Sequence, residues 1–383
     1  MERHPTIVLI LDSRYGYRRE MIRGVSAYAG SHTRWRLRID PTPPGRAKTT
    51  RSDGVIVSAG SRKNLDRLRP ASGRIVHVCE ALEGPPVPTV LPDDEAVGRL
   101  AAKHFLDQGF RRFAFYSAYP ATYSWVAPRR RGFTEAVGAA GFDCETFRPP
   151  RGAAGRRREG GFESALRKWL SGLAKPIALF AANDLSAHQV AEACLDLGLS
   201  VPEEVAILGV DNDVLLCESA TPPLSSVDPG FQRVGFEAAR LMDRLLAGEA
   251  APEEPIVLEP VGIVTRRSSE AIPIEDRGFV RALVLLRQRA CEPVSVDMVV
   301  REARISRRRL EQRCREVLGR TPHDEIVRVQ MEKAQRLLAE SRMKVDQVGR
   351  QCGYAYAQNF CATFRKKMGM TPASYRRKFQ MTA

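Results

Sequence analysis

Carboxylate and amide side chains follow three short apolar runs in the first 270 residues of the chain. They are Asp12, Asn183, Asp184 and Asp211. Apolar runs of this length are typical of buried strands, and ligands of parallel sheets bind beyond the carboxyl ends of strands. Because carboxylates and amides accept hydrogen bonds from hydroxyl groups, Asp12, Asn183 and Asp211 predict a cleft that binds a polyol. Asp184 is instead predicted to cap the helix that follows it.

Aromatic residues offer a second kind of contact in this cleft. The apolar face of a sugar ring packs well on an aromatic ring, and Trp125 or Tyr123 is the candidate for that role. Tyr15 and Tyr17 fit a place in the cleft and a place in the core equally well. We predict no metal ion or cofactor, because the eight Cys include no CxxC pair and no metal-ligand spacing accompanies the carboxylates.

A candidate DNA-reading helix lies near the C-terminus. Ser306 is placed to cap it, and Leu310, Cys314 and Val317 form a buried stripe at helical spacing. Arginine pairs bidentately with guanine, and glutamine with adenine. The outer face of the helix carries Arg307, Arg308, Glu311, Gln312 and Arg315. We therefore predict that this face contacts double-stranded DNA.

The pattern around this helix occurs twice. Gly319-Arg-Thr-Pro322 recurs as Gly369-Met-Thr-Pro372. Each copy predicts a short helix, a tight turn and a longer helix, which together are a helix-turn-helix. The supporting helices are predicted at Ser295–Ala303 and Lys344–Cys352, and Pro322–Glu340 joins the copies.

The second copy has its own predicted turn and reading helix. Gly353 suits the left-handed backbone of the turn, and a helix follows from about Ala357. Its inner face carries Phe360 and Phe364. Its outer face carries Gln358, Asn359, Ala362 and Thr363.

Positive charge is concentrated in this region. The chain has a net charge of +15, and residues 277–383 contain 24 Lys and Arg against 10 Asp and Glu. The residues before them are almost neutral, with 36 basic and 35 acidic side chains. This asymmetry indicates a polyanion-binding module joined to a module of another kind.

The neutral part alternates short apolar runs with amphipathic stretches, which predicts parallel sheets covered by helices. One such unit is a strand at Ile177–Ala181, a helix at Leu185–Leu197 and a strand at Val205–Gly209. Another helix is predicted to open at Gly132. The length of this part fits two lobes better than one.

The last 100 or so residues resemble the AraC/XylS family of transcription regulators. The run from Asn359 to Arg376 and the turn residues Cys352-Gly353-Tyr354 fit that family's signature. The resemblance implies sequence-specific DNA binding. Gly349 departs from it, because the family prefers Ala there, and we expect this glycine to weaken the supporting helix by about 1 kcal/mol at most.

The first 270 residues resemble the effector domains of LacI-type repressors, which are similar to periplasmic sugar-binding proteins. The matching stretches are residues 93–100, 129–133, 182–184, 198–202, 207–212 and 222–227. The resemblance implies that Arg129 contacts the ligand. A sensor domain followed by an AraC-type domain is similar to xylose-responsive regulators, which implies xylose or a related monosaccharide as the effector.

Together these features predict a two-lobed α/β, periplasmic-binding-protein-like domain over residues 1–270, a linker over 271–276, and an all-α domain with two helix-turn-helix motifs over 277–383. The predicted ligand contacts are Asp12, Trp125, Arg129, Asn183 and Asp211. The predicted DNA contacts are Arg307, Arg308, Gln312, Gln358, Asn359 and Ala362.

The expected protein is a cytoplasmic, sugar-responsive transcription regulator and a homodimer. No export signal and no apolar run of membrane-spanning length is present in the sequence, so we expect no membrane contact. The expected partners are double-stranded DNA and a monosaccharide effector, with RNA polymerase as a further candidate for an activator. The sequence does not set the sign of regulation.

Two other functions stay open. One is a ligand-independent DNA-binding protein whose first domain only dimerises. The other is an enzyme fused to a DNA-binding domain, since Asp12, Asp93 and Asp94 are residue types that serve acid–base or metal chemistry. No nucleophile–base pair or phosphate-binding loop accompanies these carboxylates, which favours the regulator.

Overall fold

The computed structural model describes residues 4–47, 49–68, 73–80, 87–148, 161–270, 277–292 and 295–379. These residues form two compact units, the first within residues 1–103 and 112–270 and the second within residues 104–111 and 271–382. The predicted linker, residues 271–276, lies outside the described residues.

The first 270 residues form strands and helices in alternation. The strands are β1 Thr6–Ile10, β2 Arg36–Ile39, β3 Gly54–Val57, β4 Ile75–Val78, β5 Thr89–Pro92, β6 Phe113–Tyr116, β7 Cys144–Thr146, β8 Ile177–Ala181, β9 Val205–Val210, β10 Ser225–Asp228, β11 Ile256–Leu258 and β12 Gly262–Val264. The helices are α1 Gly16–His32, α2 Arg62–Leu65, α3 Asp94–Asp107, α4 Val126–Ala139, α5 Gly161–Gly172, α6 Asp184–Asp196, α7 Val214–Ser219 and α8 Phe231–Leu246.

The strands make two six-stranded sheets with the same arrangement. The orders are β2–β1–β3–β4–β5–β11 and β7–β6–β8–β9–β10–β12. Neighbouring strands are parallel except β10 and β12. We call the part built on the first sheet the first lobe and the part built on the other the second lobe. The predicted two-lobed α/β fold is confirmed.

The central strands are buried on both faces. Every residue of β3, β8 and β9 is buried. Helices cover both faces of a parallel sheet, so these strands are continuously apolar rather than alternating. This is why short apolar runs at Ile177–Ala181 and Val205–Gly209 were sufficient to predict β8 and β9.

Four glycines allow two pairs of helices to cross closely, a role that no local pattern in the sequence predicted. A Cβ at Gly24 of α1 would lie 2.0 Å from a backbone oxygen of α8, and a Cβ at Gly235 of α8 would lie 2.0 Å from one of α1. Gly98 of α3 and Gly132 of α4 stand in the same relation, at 2.1 Å each. Backbone cannot move aside as a flexible side chain does, so each crossing requires both of its glycines.

The second unit is helical and contains both predicted helix-turn-helix motifs. Its helices are α9 Arg277–Gln288, α10 Val296–Ala303, α11 Arg307–Leu318, α12 Pro322–Glu340, α13 Val345–Gln351, α14 Ala357–Met368 and α15 Pro372–Phe379. Ser306 caps α11 by accepting from Arg309 N–H, as predicted. Arg304 in the first turn and Gly353 in the second have φ values of 54° and 87°. Both motifs are confirmed.

Close packing, which the sequence did not suggest, explains the glycine at position 349. It is buried in α13, and a Cβ there would lie 3.1 Å from Cβ and Cγ of Phe360. Phe360 is completely buried beside Phe364. The lost helix propensity is therefore accompanied by a closer contact between the two helices of the motif.

A buried carboxylate that the sequence did not predict forms ion pairs between α12 and its neighbours. Glu325 has no exposed surface and accepts from Arg287 of α9 at 2.7 Å and from Arg328 at 2.8 Å. Arg320 lies 3.5 Å away. Burial alone would raise the pKa of Glu325, but the hydrogen bonds and charges of Arg328 and Arg287 lower it from 4.5 to about 2.

We predict that Glu325→Gln destabilises the second unit by about 3–5 kcal/mol at neutral pH, because it leaves buried guanidinium groups without their counter-charge. The wild-type contribution is present above pH 4.5 and is lost as the pH falls towards 2, because the folded-state pKa is depressed. The variant should lack this pH dependence. Hydrogen exchange of α12 amides in the full-length protein, at several pH values and urea concentrations, measures both effects.

Glu316→Gln is the matched control, because Glu316 is an exposed carboxylate paired with Arg313 on α11. It should leave α12 protection unchanged. Equal protection of wild type and Glu325→Gln at pH 7 would contradict a stabilising role for the buried cluster.

Candidate ligand cleft and DNA interface

The centre of the candidate cleft is a buried arginine between two carboxylates. α4 begins at Val126, earlier than the predicted start at Gly132, and so includes Arg129 in its first turn. Arg129 Nε donates to Asp94 at 2.7 Å, and Nη1 donates to the Ala182 carbonyl at 2.7 Å and to Asp211 at 3.3 Å. The arginine side chain is only 4% exposed. The close crossing of α3 and α4 brings Asp94 and Arg129 together.

Asp211 reaches this arginine from an unusual backbone conformation. It follows β9 with φ at 106°, and Asn212 follows with φ at 49°. Both values are uncommon for residues with a side chain, and such strain clusters at functional sites. Val227 O accepts from Asp211 N–H, and Ser226 Oγ accepts from Asn212 N–H, so the turn is held by β10.

Burial sets the electrostatics of the three groups. It raises the pKa of Asp211 and of Asp94, although the charge of Arg129 opposes the rise in both. Burial alone would lower the pKa of Arg129, but the two carboxylates raise it. The guanidinium therefore stays charged. The carboxylates keep lone pairs that can accept hydrogen bonds from a ligand.

The two lobes allow an internal comparison, because their sheets share one strand arrangement. Three residues before its crossing glycine, α1 has Met21 where α4 has Arg129. Four residues before the crossing glycine, α8 has Phe231 where α3 has Asp94. Met21 and Phe231 are buried in the apolar core of the first lobe. The crossing itself therefore needs no ion pair, which indicates that Arg129 and Asp94 serve a function.

Trp125 lies beside this arginine. The Arg129 guanidinium is 5.0 Å from the Trp125 ring centre. Tyr119 and Tyr123 contact Trp125 and each other, with ring centres 5.2–5.9 Å apart. Tyr123 is exposed, whereas Tyr119 and Trp125 are half-buried. Together they make an aromatic wall next to the charged centre; Tyr119 was missed because nothing in its local sequence marks it.

Asn183, and not Asp184 as predicted, caps the helix that follows β8. Asn183 Oδ1 caps α6 by accepting from Ser186 N–H at 2.9 Å. Asp184 is buried and accepts from Ser226 Oγ at 2.6 Å and from Asp213 N–H at 2.7 Å. The prediction that Asp184 caps the helix was wrong, since its carboxylate instead binds the segments after β9 and in β10.

Asp12 stands at the end of β1, in the first lobe. It forms an ion pair with the exposed Arg14, with Nη2 and Oδ2 2.6 Å apart. Nearby, Arg18 Nη2 donates to Ser58 Oγ at 3.1 Å, and the Arg18 guanidinium lies over the rings of Tyr15 and Tyr17. Arg18 was not among the residues that the sequence predicted for the cleft. Asp12 is thus paired within the first lobe rather than with Arg129.

The two lobes meet close to these residues. Gly16, the first residue of α1, lies against Asp213 of the second lobe, since a Cβ at Gly16 would be 2.2 Å from Asp213 Oδ2. Asp213 follows the strained turn at Asp211. The segments that follow β1 and β9 therefore meet, and they carry the predicted ligand residues Asp12 and Asp211.

All the predicted DNA contacts lie on exposed helix faces. On α11, Arg307, Arg308 and Gln312 are exposed, opposite the buried Leu310 and Cys314. Gln312 Nε2 donates to Glu316 at 2.7 Å. On α14, Gln358, Asn359 and Ala362 are exposed, opposite the buried Phe360 and Phe364. This is the arrangement that a recognition helix needs.

The described residues include no candidate metal site and no candidate membrane span. No group of His, Cys, Asp and Glu among those residues is arranged to hold a metal ion. No helix there is both long and apolar enough to cross a membrane.

Comparison with known proteins matches both units. Residues 102–269 match a periplasmic binding protein-like domain, and residues 299–378 match a helix-turn-helix domain. The chain is 29% identical to the xylose operon regulatory protein of Escherichia coli K12, over 97% of this chain and 96% of that protein. It is 26% identical to the protein of the same name from Haemophilus influenzae, over 98% and 99%.

A solved structure agrees with these relatives over the whole chain. The structure of the xylose-binding transcription activator XylR matches with a TM-score of 0.63 and 28% identity, and the match covers 99% of both chains. The chain is therefore a DNA-binding transcription regulator, homologous to the xylose operon regulatory proteins, that joins a periplasmic-binding-protein-like domain to an AraC-type helix-turn-helix domain.

Proposed function

We propose that a monosaccharide, xylose or a close relative of it, controls this regulator by binding between the lobes of a sensor domain formed by residues 1–270. Binding of the sugar changes how residues 277–383 bind operator DNA. Relatives named for xylose binding and xylose operon regulation support this. The observation that carries the proposal is Arg129, buried between two carboxylates where the first lobe is apolar.

The cleft suits a neutral polyol. Asp94 and Asp211 each accept from Arg129 and keep further lone pairs for hydroxyl groups. Hydrogen bonds to ionised acceptors are short and strong. Trp125 offers an aromatic surface for the apolar face of a sugar ring. Asn183 uses Oδ1 for its helix cap, and its side chain also hydrogen-bonds the Tyr119 hydroxyl, which leaves one amide N–H as a donor. Asp12 is the proposed contact from the first lobe.

The assembly is also a proposal. We expect a homodimer, since paired helix-turn-helix units commonly bind paired half-sites. A DNA-binding regulator acts where the DNA is, and the relatives are bacterial, so we expect a cytoplasmic location. RNA polymerase is the expected partner if the regulator activates transcription, as the related XylR does by its name.

Two alternatives are distinguished by one experiment. Full-length protein is incubated with a panel of monosaccharides, its thermal midpoint is recorded and the sugar is analysed afterwards. A sensor should shift with one sugar or a few and leave them unchanged. Conversion of the sugar would indicate an enzyme. No shift with any sugar would favour a domain that only dimerises.

We predict that Asp211→Asn weakens sugar binding tenfold to a hundredfold, because a hydrogen bond to a charged acceptor contributes about 1.5–3 kcal/mol. Asparagine keeps the volume and tolerates the positive φ at this position. The transcriptional or DNA-binding response should move to higher sugar concentration, since a ligand acts through its differential affinity for two states. Calorimetric titration and DNA binding with and without sugar test both parts.

Asp196→Asn is the control, because Asp196 is an exposed carboxylate at the end of α6, paired with Arg167. It should bind sugar as the wild type does. Wild-type affinity in Asp211→Asn would remove Asp211 from the proposed site while leaving the DNA-binding assignment intact.

A further prediction separates base reading from anchoring to phosphate. Arg308→Ala should cost about 1–3 kcal/mol on the preferred DNA site and relax the preference at one base pair. Lys366→Ala, near the end of α14, should weaken binding to all sequences about equally. Titration of both variants against a preferred and a randomised duplex gives the comparison. Equal losses on both duplexes for Arg308→Ala would exclude this arginine from base reading.

A further inference from the structure

Two carboxylates hold the guanidinium of Arg307 at the start of α11. Arg307 Nε donates to Glu311 Oε1 at 3.0 Å, and Arg307 Nη1 donates to Asp297 Oδ1 at 3.0 Å. Glu311 stands one turn further along the same helix, whereas Asp297 belongs to the supporting helix α10. We call these three residues the arginine clasp. It joins the two helices of the first motif on their solvent side.

The clasp is too exposed to be explained by stability. The side chains of Arg307, Asp297 and Glu311 are 57%, 61% and 37% exposed. Exposed ion pairs contribute little to folding because water screens them and ordering long side chains opposes them. Two carboxylates beside the DNA-facing side of a basic motif also repel phosphate groups. Their presence there calls for another function.

The contacts leave part of the guanidinium free to read a base. Nε and one N–H of Nη1 are occupied, while the second N–H of Nη1 and both N–H groups of Nη2 are not used by the clasp. An arginine reads guanine with two such parallel N–H groups. A held guanidinium also loses less conformational freedom on binding than a free one.

The charge of the clasp excludes a simple anchoring role. One guanidinium and two carboxylates carry a net charge of −1, so the group adds nothing to the attraction of phosphate that dominates non-specific binding. Arg307 can then favour DNA only where its free N–H groups meet a matching base. The clasp therefore lowers the affinity for DNA of any sequence and increases the preference for a matching base.

The second motif provides an internal contrast. At the fifty-residue offset of the repeat, Arg307 and Glu311 correspond to Ala357 and Cys361. In the supporting helix the repeat offset is forty-nine, so Asp297 corresponds to Asp346, which lies 4.0 Å from Arg350 on its own helix. The arginine and its glutamate are thus present together in one motif and absent together from the other. This is expected if Glu311 acts through Arg307.

We propose that Asp297 and Glu311 are positioning residues that aim Arg307 at a base edge in the major groove and prevent it from serving as a phosphate anchor. The inference rests on the proposed DNA-reading function of α11. It assigns the base discrimination of Arg307 to acidic residues that themselves make no contact with DNA.

The test uses full-length protein and a duplex recovered by selection from a randomised library with the wild type. Asp297→Asn and Glu311→Gln are each titrated against that duplex and against randomised duplex at several salt concentrations. Each variant should bind randomised duplex more tightly. The ratio of specific to non-specific affinity should fall about tenfold, and the slope of log affinity against log salt should steepen by up to about 0.9.

Two further variants separate positioning from charge and from structure. Glu302→Gln removes a carboxylate from the same helix α10, where Glu302 pairs with Arg289. It should raise both affinities together and leave their ratio unchanged. In an Arg307→Ala background, Asp297→Asn should no longer change the ratio, since the residue it positions is gone. Helical circular dichroism and thermal midpoints confirm that each variant is folded.

The outcomes distinguish this inference from the proposed function. A wild type that selects a sequence, with variants that keep its specificity ratio, would overturn the clasp and leave the proposed function standing. A ratio that falls equally in Glu302→Gln would assign the effect to charge alone and also overturn it. A wild type that selects no sequence would overturn both.

Discussion

Burial of the Arg129 guanidinium is the constraint on which the cleft depends. A charge this deeply buried is tolerated only when it is compensated and its N–H groups are bonded. Asp94 at the start of α3, Ala182 after β8 and Asp211 after β9 supply the partners, so separate segments must arrive at one point. Removal of any one leaves a buried polar group unsatisfied. Asp211 reaches Arg129 from a backbone with positive φ, and hydrogen bonds to β10 hold this strained turn in place.

Periodic features of the sequence predicted most of the fold. Parallel strands covered on both faces are continuously apolar, and α11 and α14 show a helical spacing of buried residues, so both patterns are local. The repeat at fifty residues predicted two helix-turn-helix motifs for the same reason. What local patterns cannot show is a partner that lies far along the chain. Glu325 with Arg287, and Gly98 with Gly132, are matched only in three dimensions.

In the candidate site, too, some interpretations rested on local patterns, whereas others depended on partners distant in the sequence. The proposal for Asp211 came from its place after a strand, which is a local fact, and the proposal for Arg129 came from family resemblance. Asn183 and Asp184 are neighbours of nearly equal capping ability, so the choice between them depended on tertiary partners. Ser226 Oγ and Asp213 N–H both donate to the Asp184 carboxylate, and neither partner is close to it in sequence. The start of α4 was placed too late because Trp125 has no side-chain capping bond that a sequence pattern can reveal.

The proposed response to a ligand depends on buried charge. The carboxylates beside Arg129 are buried, where electrostatic interactions are strong, so hydroxyl groups of the proposed ligand would have a large effect on this network. A ligand can shift an equilibrium only by binding one state better than the other. The proposed cleft would meet this condition if a sugar contacts both lobes, because Asp12 belongs to one lobe and Asp211 to the other, and Gly16 and Asp213 are in contact beside them. A sugar that bridges both sides gains its full set of contacts only when the lobes are close. The binding energy is then available to change the state of the protein.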